Sequence, residues 1–388
     1  MAGKRSGQGR GDDAQSGSRY ARQAHPGWER EKPGKRHRRG LEEKLRKYEV
    51  RAEGYEFVPA LMHTLARYVA KVPEKSQTDL DRRLAHALDE IPNARPLIER
   101  AVETHNEIPS DLKRRAFSPR YLDLPLDRQI DDAEARQIVE RAAIFENRPV
   151  ATLATISAAT KPGHPEATGC CCPPERPPKD PQTPPTRPPN QYELTFTKLY
   201  CVDESDPEGW GLSDEPYVVF GAITEEMAES GTAAVAVHTP VYEDVDDGET
   251  RPDSGDENLR IFGFTGPRAI ASSVLVTGSC FENDLGDVSD TTDAVRTALT
   301  AVATKAAAAG GVAGWVVAGI AVVGIGVSYL VDLIGADDSI NSSLALTVTE
   351  ADADAKTNAV NPFFYPPLHF DGGDGDGIYD AYLKLRRV

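Results

Sequence analysis

Carboxylates at alternate or near-alternate positions in turn-rich loops suit a hard cation, and this chain has two such places. One is Asp203-Glu204-Ser205-Asp206-Pro207-Glu208, continued by Ser213-Asp214-Glu215; the other is the Asp371-Gly-Gly-Asp374-Gly-Asp376-Gly377 run near the C-terminal end. Calcium takes six to eight oxygen ligands at flexible angles, so Asp203, Asp206, Asp214, Asp371, Asp374 and Asp376 are the candidate metal ligands. The second run is not an EF-hand, because the ninth and twelfth ligand positions and the flanking helices are missing. In a sandwich, loops from one end can pool such ligands. In a chain of net charge −17, the competing reading is a solvated acidic turn.

Other chemistry is less well supported. Asp203, Asp214 and Glu215 offer a glycosidase-like carboxylate pair, but acidic residues this abundant form such pairs by chance. No GxSxG, HExxH, Walker loop or dinucleotide fingerprint occurs. Catalysis is therefore the third expectation, with no catalytic or cofactor-binding residue assigned. The five cysteines are Cys170, Cys171, Cys172, Cys201 and Cys280, an odd count with a triplet in a proline-rich stretch. That is neither a disulfide framework nor a zinc pattern. His63, His86 and His105 are scattered on helical segments and are given no chemistry.

A third set of residues is apolar. From Ala306 to Val331 no side chain is charged, and about 20 apolar residues cross a bilayer. Gly310, Gly314 and Ala318 recur every fourth residue, as do Gly311, Trp315 and Gly319, with Gly324 and Ser328 following. Small residues at this spacing let two helix backbones approach closely. The candidate membrane set is Gly310, Gly314, Trp315, Ala318, Gly319, Gly324 and Tyr329. The run lies between strand-like segments, so a permanent span would separate strands of one sheet system. A hairpin with residues 294–309 as its other arm avoids this, although Arg296 and Lys305 are costly in lipid, by about 2.5–3.5 kcal/mol each. Three states follow: packed on the rest of the protein, inserting conditionally, or spanning permanently.

The elements that position these residues fall into four parts. Residues 1–40 form a basic, disordered tail without a secretory signal, on an otherwise acidic chain whose hydrophobic fraction is 39%. Residues 41–156 read as a helical domain: Phe57, Leu61, Leu65 and Tyr68 at helical spacing up to Pro73, Thr78 as an N-cap before Leu80, Leu84 and Leu88, a third helix through Ile98 and Val102, and a fourth opening at Asp131-Asp132. Residues 157–192 are a proline-rich linker of polyproline type. From Tyr192 the period becomes two, with strands at Tyr192–Val202, Tyr217–Phe220, Ala233–Val237, Leu259–Phe264, Val274–Thr277, Leu344–Thr349 and Tyr379–Leu385. The expected fold is a multidomain α+β chain, with the helical domain followed by an antiparallel β-sandwich over 193–388 that carries a helical hairpin insertion at 291–335.

The stretch LYCVDESDPEGWGLSDEPYVVFGAI, with the Gly-rich helical insertion and the terminal Gly375-Asp376-Gly377-Ile378-Tyr379 strand, resembles a bacterial β-sandwich module over residues 194–388. That resemblance implies a fold and no activity. The leading expectation is a non-enzymatic membrane-interacting protein, a secreted effector or pore-forming protein, with calcium in its acidic loops and a lipid or protein partner. No nucleic-acid partner is expected, because no binding fold follows the basic tail. The alternative is a soluble binding or scaffold module whose hairpin is a core element. The absence of a signal leaves a cytoplasmic location or export by another route.

Overall fold

Among the described residues, helical spacing of apolar residues produces six named α-helices before the first strand. The protein is seen in a computed structural model that describes residues 42, 45, 46, 48, 54–145, 189–204, 215–283, 287–307, 321–335, 339, 340, 342–358, 360–372 and 377–388. The basic tail, residues 157–188 of the proline-rich linker and the cysteine triplet lie outside these residues; the linker's last expected residue, Tyr192, is instead the first of a strand. α1 (Gly54–Val69) buries Phe57, Leu61 and Leu65. α2 (Asp79–Asp89) starts at a capping box, in which Thr78 Oγ1 accepts from Asp81 N at 3.1 Å and the Asp81 carboxylate accepts from Thr78 N at 2.9 Å. α3 (Ala94–Glu107), α4 (Ser110–Ala116), α5 (Pro119–Leu122) and α6 (Asp132–Phe145) follow. α5 is a single turn; Pro119 opens it, and the Ser118 hydroxyl accepts from Arg120 N.

The remainder is α+β with two antiparallel sheets. β2 (Pro216–Thr224), β3 (Val235–His238), β6 (Ser273–Glu282) and β7 (Leu344–Thr349) form a four-stranded sheet in the order β3-β2-β6-β7. β1 (Tyr192–Asp203) and β10 (Ile378–Arg387) pair from Tyr192↔Arg387 to Asp203↔Ile378 at the centre of a six-stranded sheet. That sheet also holds β4 (Thr250–Arg251), β5 (Leu259–Phe262), β8 (Phe363–Phe364) and β9 (Leu368–Asp371). β4, β8 and β9 are too short to show a period of two, so sequence pattern does not reveal them. Two short helices, α7 (Glu225–Ser230) and α10 (Glu350–Lys356), are capped by Thr224 and Thr349, whose hydroxyls accept from the third residue on.

Strand alternation divides the core. Val218, Phe220 and Ala222 of β2 join the apolar residues of the six-stranded sheet, with the Phe196 and Phe220 rings 5.4 Å apart. Tyr217, Val219 and Ile223, from the opposite face, join the helices. Against that face lies α8 (Val288–Ala307), followed by α9 (Ala321–Ile334). Both are buried among α1, α2 and α3. The helices of the N-terminal half therefore sheathe the apolar pair on the side away from the sheet.

Two glycines make the packing of α9 close. A Cβ on Gly326 would sit 2.9 Å from Val302 Cγ2 of α8, and one on Gly324 would sit 2.6 Å from the Ser343 carbonyl oxygen. Of the small residues read as a helix-contact stripe, Gly324 thus faces the strand-entry backbone, while its neighbour Gly326 faces α8. Gly310, Gly314, Trp315, Ala318 and Gly319 lie outside the described residues. Among the described residues, no helix is long and apolar enough to cross a membrane.

Candidate functional site: polar fasteners between sheath and hairpin

Apolar packing alone would make the sheath a featureless oil contact. Instead it encloses charged and polar groups, and these sit where α8 and α9 meet α1 to α3. The first cluster surrounds Lys305 on α8. This side chain has no solvent exposure, and its ammonium donates to Thr64 Oγ1 of α1 at 3.0 Å. Thr64 in turn donates to Ala60 O at 2.9 Å. Burial pulls the Lys305 ammonium from its ordinary 10.5 down to about 7, against the weaker opposing pull of Asp81, Glu134 and Asp132. A lysine so lowered is chemically a nucleophile, but with no exposure it meets no substrate.

Next to it, Arg67 of α1 is 1% exposed. It holds the Asp81 carboxylate of α2 with Nη2 at 2.9 Å, and donates to the carbonyls of Leu126, Arg128 and Ser76. His63 lies within hydrogen-bonding distance of the same Arg128 carbonyl, 2.8 Å from Nε2. Burial lowers its pKa, and Lys305 and Arg67 push the same way. A cavity of about 440 Å³ opens beside this cluster, bordered by Thr64, Arg67, Tyr68, Asp81, Asp89 and Arg95.

The second cluster fastens α9. Tyr329 is fully buried and its hydroxyl lies 2.7 Å from His105 Nδ1 of α3. Phe117 and Tyr48 meet the Tyr329 ring edge-on, each with centroids 5.1 Å apart. The Tyr48 hydroxyl donates to Asp332 Oδ2 at 2.6 Å, one turn further along α9. Arg100 of α3 donates to Ile334 O at 3.0 Å and so satisfies a terminal carbonyl of α9. Burial, aided by Lys113, holds the His105 imidazole down at about 3. Lys113 Nζ donates to the His105 carbonyl at 3.1 Å, and burial likewise raises the Tyr329 phenol. His105 is therefore neutral in the sheathed state.

The histidines carry no sequence signal, since their partners are distant in the chain. Arg296, the other cation of the first hairpin arm, donates to Ala234 O at 2.8 Å, while Thr300 Oγ1 accepts from Ala234 N at 2.9 Å. The two cations that make this arm unsuited to lipid are thus used to bind α8 to the sheet side and to the sheath.

Of the six candidate metal ligands, Asp203 and Asp371 are described; Asp206, Asp214, Asp374 and Asp376 lie outside the described residues. β1 and β9 flank β10, and Asp203 and Asp371 both stand opposite Ile378. Two strand spacings, roughly 10 Å, separate their backbones, so the two acidic loops leave the same end of one sheet. Among the described residues, no group of three or more His, Cys, Asp or Glu is placed to hold a metal ion. Comparison of the chain with protein-family models, with curated proteins and with solved structures finds no match.

Proposed function

We propose that this is a non-enzymatic, membrane-interacting protein, of the effector or pore-forming kind, that stores an apolar helical hairpin in a sheath of helices and releases it on acidification. In this reading the two sheets form a sandwich that acts as the fixed scaffold, and the helices of 41–156 are the cover. The observation that carries it is the His105–Tyr329 contact, a neutral histidine of the cover buried against the second hairpin helix. Lys305 against Thr64 repeats the arrangement on the first.

Both groups are bases whose folded pKa lies below the unfolded value, so the unfolded or opened state binds more protons. Stability then rises with pH through each window and falls as pH drops. For Lys305 the window is 10.5 to about 7, below which its full penalty is present. For His105 it is 6.5 to about 3, worth up to about 5 kcal/mol at 1.36 kcal/mol per pH unit. His63 acts in the same direction. Acid thus weakens the His105 fastener, whereas the Lys305 penalty is already complete near neutral pH and only alkali relieves it.

The direct test is dye release from anionic vesicles. Release is expected near pH 4.5 and not near pH 7.5, with His105→Leu moving the threshold downward by about a pH unit or more. Unchanged vesicles across that range would favour the second reading, in which the hairpin is a permanent core element of a binding module. That reading is supported by the continuity of the helical core with Tyr217, Val219 and Ile223 of β2.

Calcium belongs to the same proposal. The shared sheet end of Asp203 and Asp371 supports it, and the acidic loops would then bring that end to an anionic lipid surface. Calcium at ~1 mM is expected to raise the melting temperature. A midpoint indifferent to calcium and to chelator removes the metal from the proposal.

A further inference from the structure

Exposed apolar side chains are not spread evenly over the β-half. Phe264, Val360 and Phe364 are exposed at one end of the six-stranded sheet, where β1 begins and β10 finishes. Strand register brings them together. Phe262 of β5, Leu194 of β1, Leu385 of β10 and Phe363 of β8 form one row across the sheet. The chain runs outward from Phe262 to Phe264 and inward from Val360 to Phe363, so the two turns that carry Phe264 and Val360 project from the same end. Three strand spacings, roughly 15 Å, separate them.

Both turns hold an apolar tip in solvent. Gly266 N donates to Gly263 O at 3.0 Å, which makes Phe264 and Thr265 the central pair of a turn. Gly263 has φ +75°, and a Cβ there would lie 3.0 Å from Gly266 O and 3.1 Å from Tyr192 O. The returning chain is tied down as well, since Arg268 and Tyr192 exchange both backbone hydrogen bonds, at 2.8 and 3.0 Å. Phe264 is 55% exposed on this tip. In the other turn, Asn358 Oδ1 accepts from Val360 N at 2.9 Å and from Asn361 N at 2.8 Å, and Val360 is 84% exposed. A single exposed apolar residue is ordinary, but two fixed on neighbouring turn tips mark a contact surface.

The charge at this end is opposite to that of the chain. Arg260 and Arg386 share one carboxylate, Glu193, at 3.5 and 2.6 Å. Arg387 stands 3.7 Å from Asp354. Arg268, beside the Phe264 turn, is exposed and makes no ion pair among the described residues. Four guanidiniums thus meet two carboxylates in a chain of net charge −17. On the adjoining α10, Lys356 answers Asp352 at 4.0 Å, which leaves Glu350 as its remaining acid and the end still positive. A second copy docking here would bring like charges face to face. Apolar tips among arginines match instead the boundary of an anionic bilayer, where cations meet phosphate and the tips enter the acyl region. We infer that this end of the six-stranded sheet is a docking face for anionic lipid, with Phe264 and Val360 as its inserted tips. It lies at the opposite end of the sheet from Asp203 and Asp371, so docking needs no calcium, and it needs no movement of the hairpin.

The test is flotation of the full chain at about pH 7.5, with chelator throughout, on vesicles of phosphatidylcholine alone or with ~30% phosphatidylglycerol. The mixed vesicles are expected to carry the protein, and the neutral ones to bind it at least about tenfold more weakly. Phe264→Ser with Val360→Ser changes two exposed side chains. This double variant is expected to keep its melting temperature and to lose about tenfold or more in binding to the mixed vesicles. Arg268→Gln is expected to weaken binding several-fold, as added salt does. No flotation with the mixed vesicles, undiminished binding by the double variant, or equal binding to neutral lipid overturns the inference. So does a concentration-dependent dimer that the double variant dissolves, because a second copy then covers this end. Dye release near pH 4.5 is a separate readout. Release without docking near pH 7.5 removes this inference and leaves the hairpin proposal standing.

Discussion

Replacing Lys305 with methionine is expected to stabilise the protein strongly at neutral and acid pH, and hardly at all above about pH 10. The wild-type ammonium is buried without exposure and held at about 7 instead of 10.5. Below pH 7 both the folded and unfolded lysines carry the proton, and the folded state bears the whole desolvation cost. At 1.36 kcal/mol per pH unit this is about 5 kcal/mol, set by burial and only partly offset by Asp81, Glu134 and Asp132. Methionine has similar length and no charge. Thr64 is not orphaned by the change, because its hydroxyl continues to donate to Ala60 O. Urea unfolding at about pH 6 and about pH 10 separates the alternatives. A gain that shrinks by several kcal/mol between the two pH values means that a buried charge is being removed. An equal loss at both means that the ammonium is a packing element and the Thr64 bond outweighs desolvation. A stability cost of this size, kept at the contact between cover and hairpin, is intelligible when that contact has to open.

How much of this was legible beforehand depended on the range of the interaction. Thr78 and Asp81 are neighbours, so the N-cap of α2 is written locally and the structure has the full capping box. The alternation of Leu194, Phe196, Leu199 and Cys201 is likewise local, and these side chains are all buried. β8 escaped because Phe363 and Phe364 pair with Leu385 and Lys384 and have no pattern of their own. The fasteners escaped for the same reason. His105 and Tyr329 look like an ordinary histidine and an ordinary tyrosine until the fold brings α3 against α9. Charge position gave a partial signal: Lys305 at the margin of an apolar run is conspicuous, although Thr64 as its partner is not. The acidic loops show the opposite case. Their composition is plain in the sequence, yet it is strand order, with β10 between β1 and β9, that puts Asp203 and Asp371 at one end of the sheet.

The largest functional effect is expected from tying the cover to the hairpin. Gly54 opens α1, and a Cβ built there lies 4.0 Å from the Ile325 Cβ of α9. Disulfides need a Cβ separation of about 3.5–4.5 Å, so the pair Gly54→Cys with Ile325→Cys meets that distance between the two helices, and the Ile325 Cγ2 that would crowd the new Cβ is removed by the change. Cys170, Cys171 and Cys172 are replaced by serine to prevent mispairing, while Cys201 and Cys280 are buried and stay. Oxidised, the variant is expected to melt higher, by the several kcal/mol that closing a long loop contributes, and to release no dye from vesicles at any pH. Reduction restores release to the wild-type level at about pH 4.5. The reduced form carries the same two substitutions, so the comparison isolates the covalent tie from the loss of the Ile325 side chain. Release that is equally fast in the oxidised protein would mean that lipid is disturbed by some other part of the chain. Sheath opening would then be no part of the mechanism.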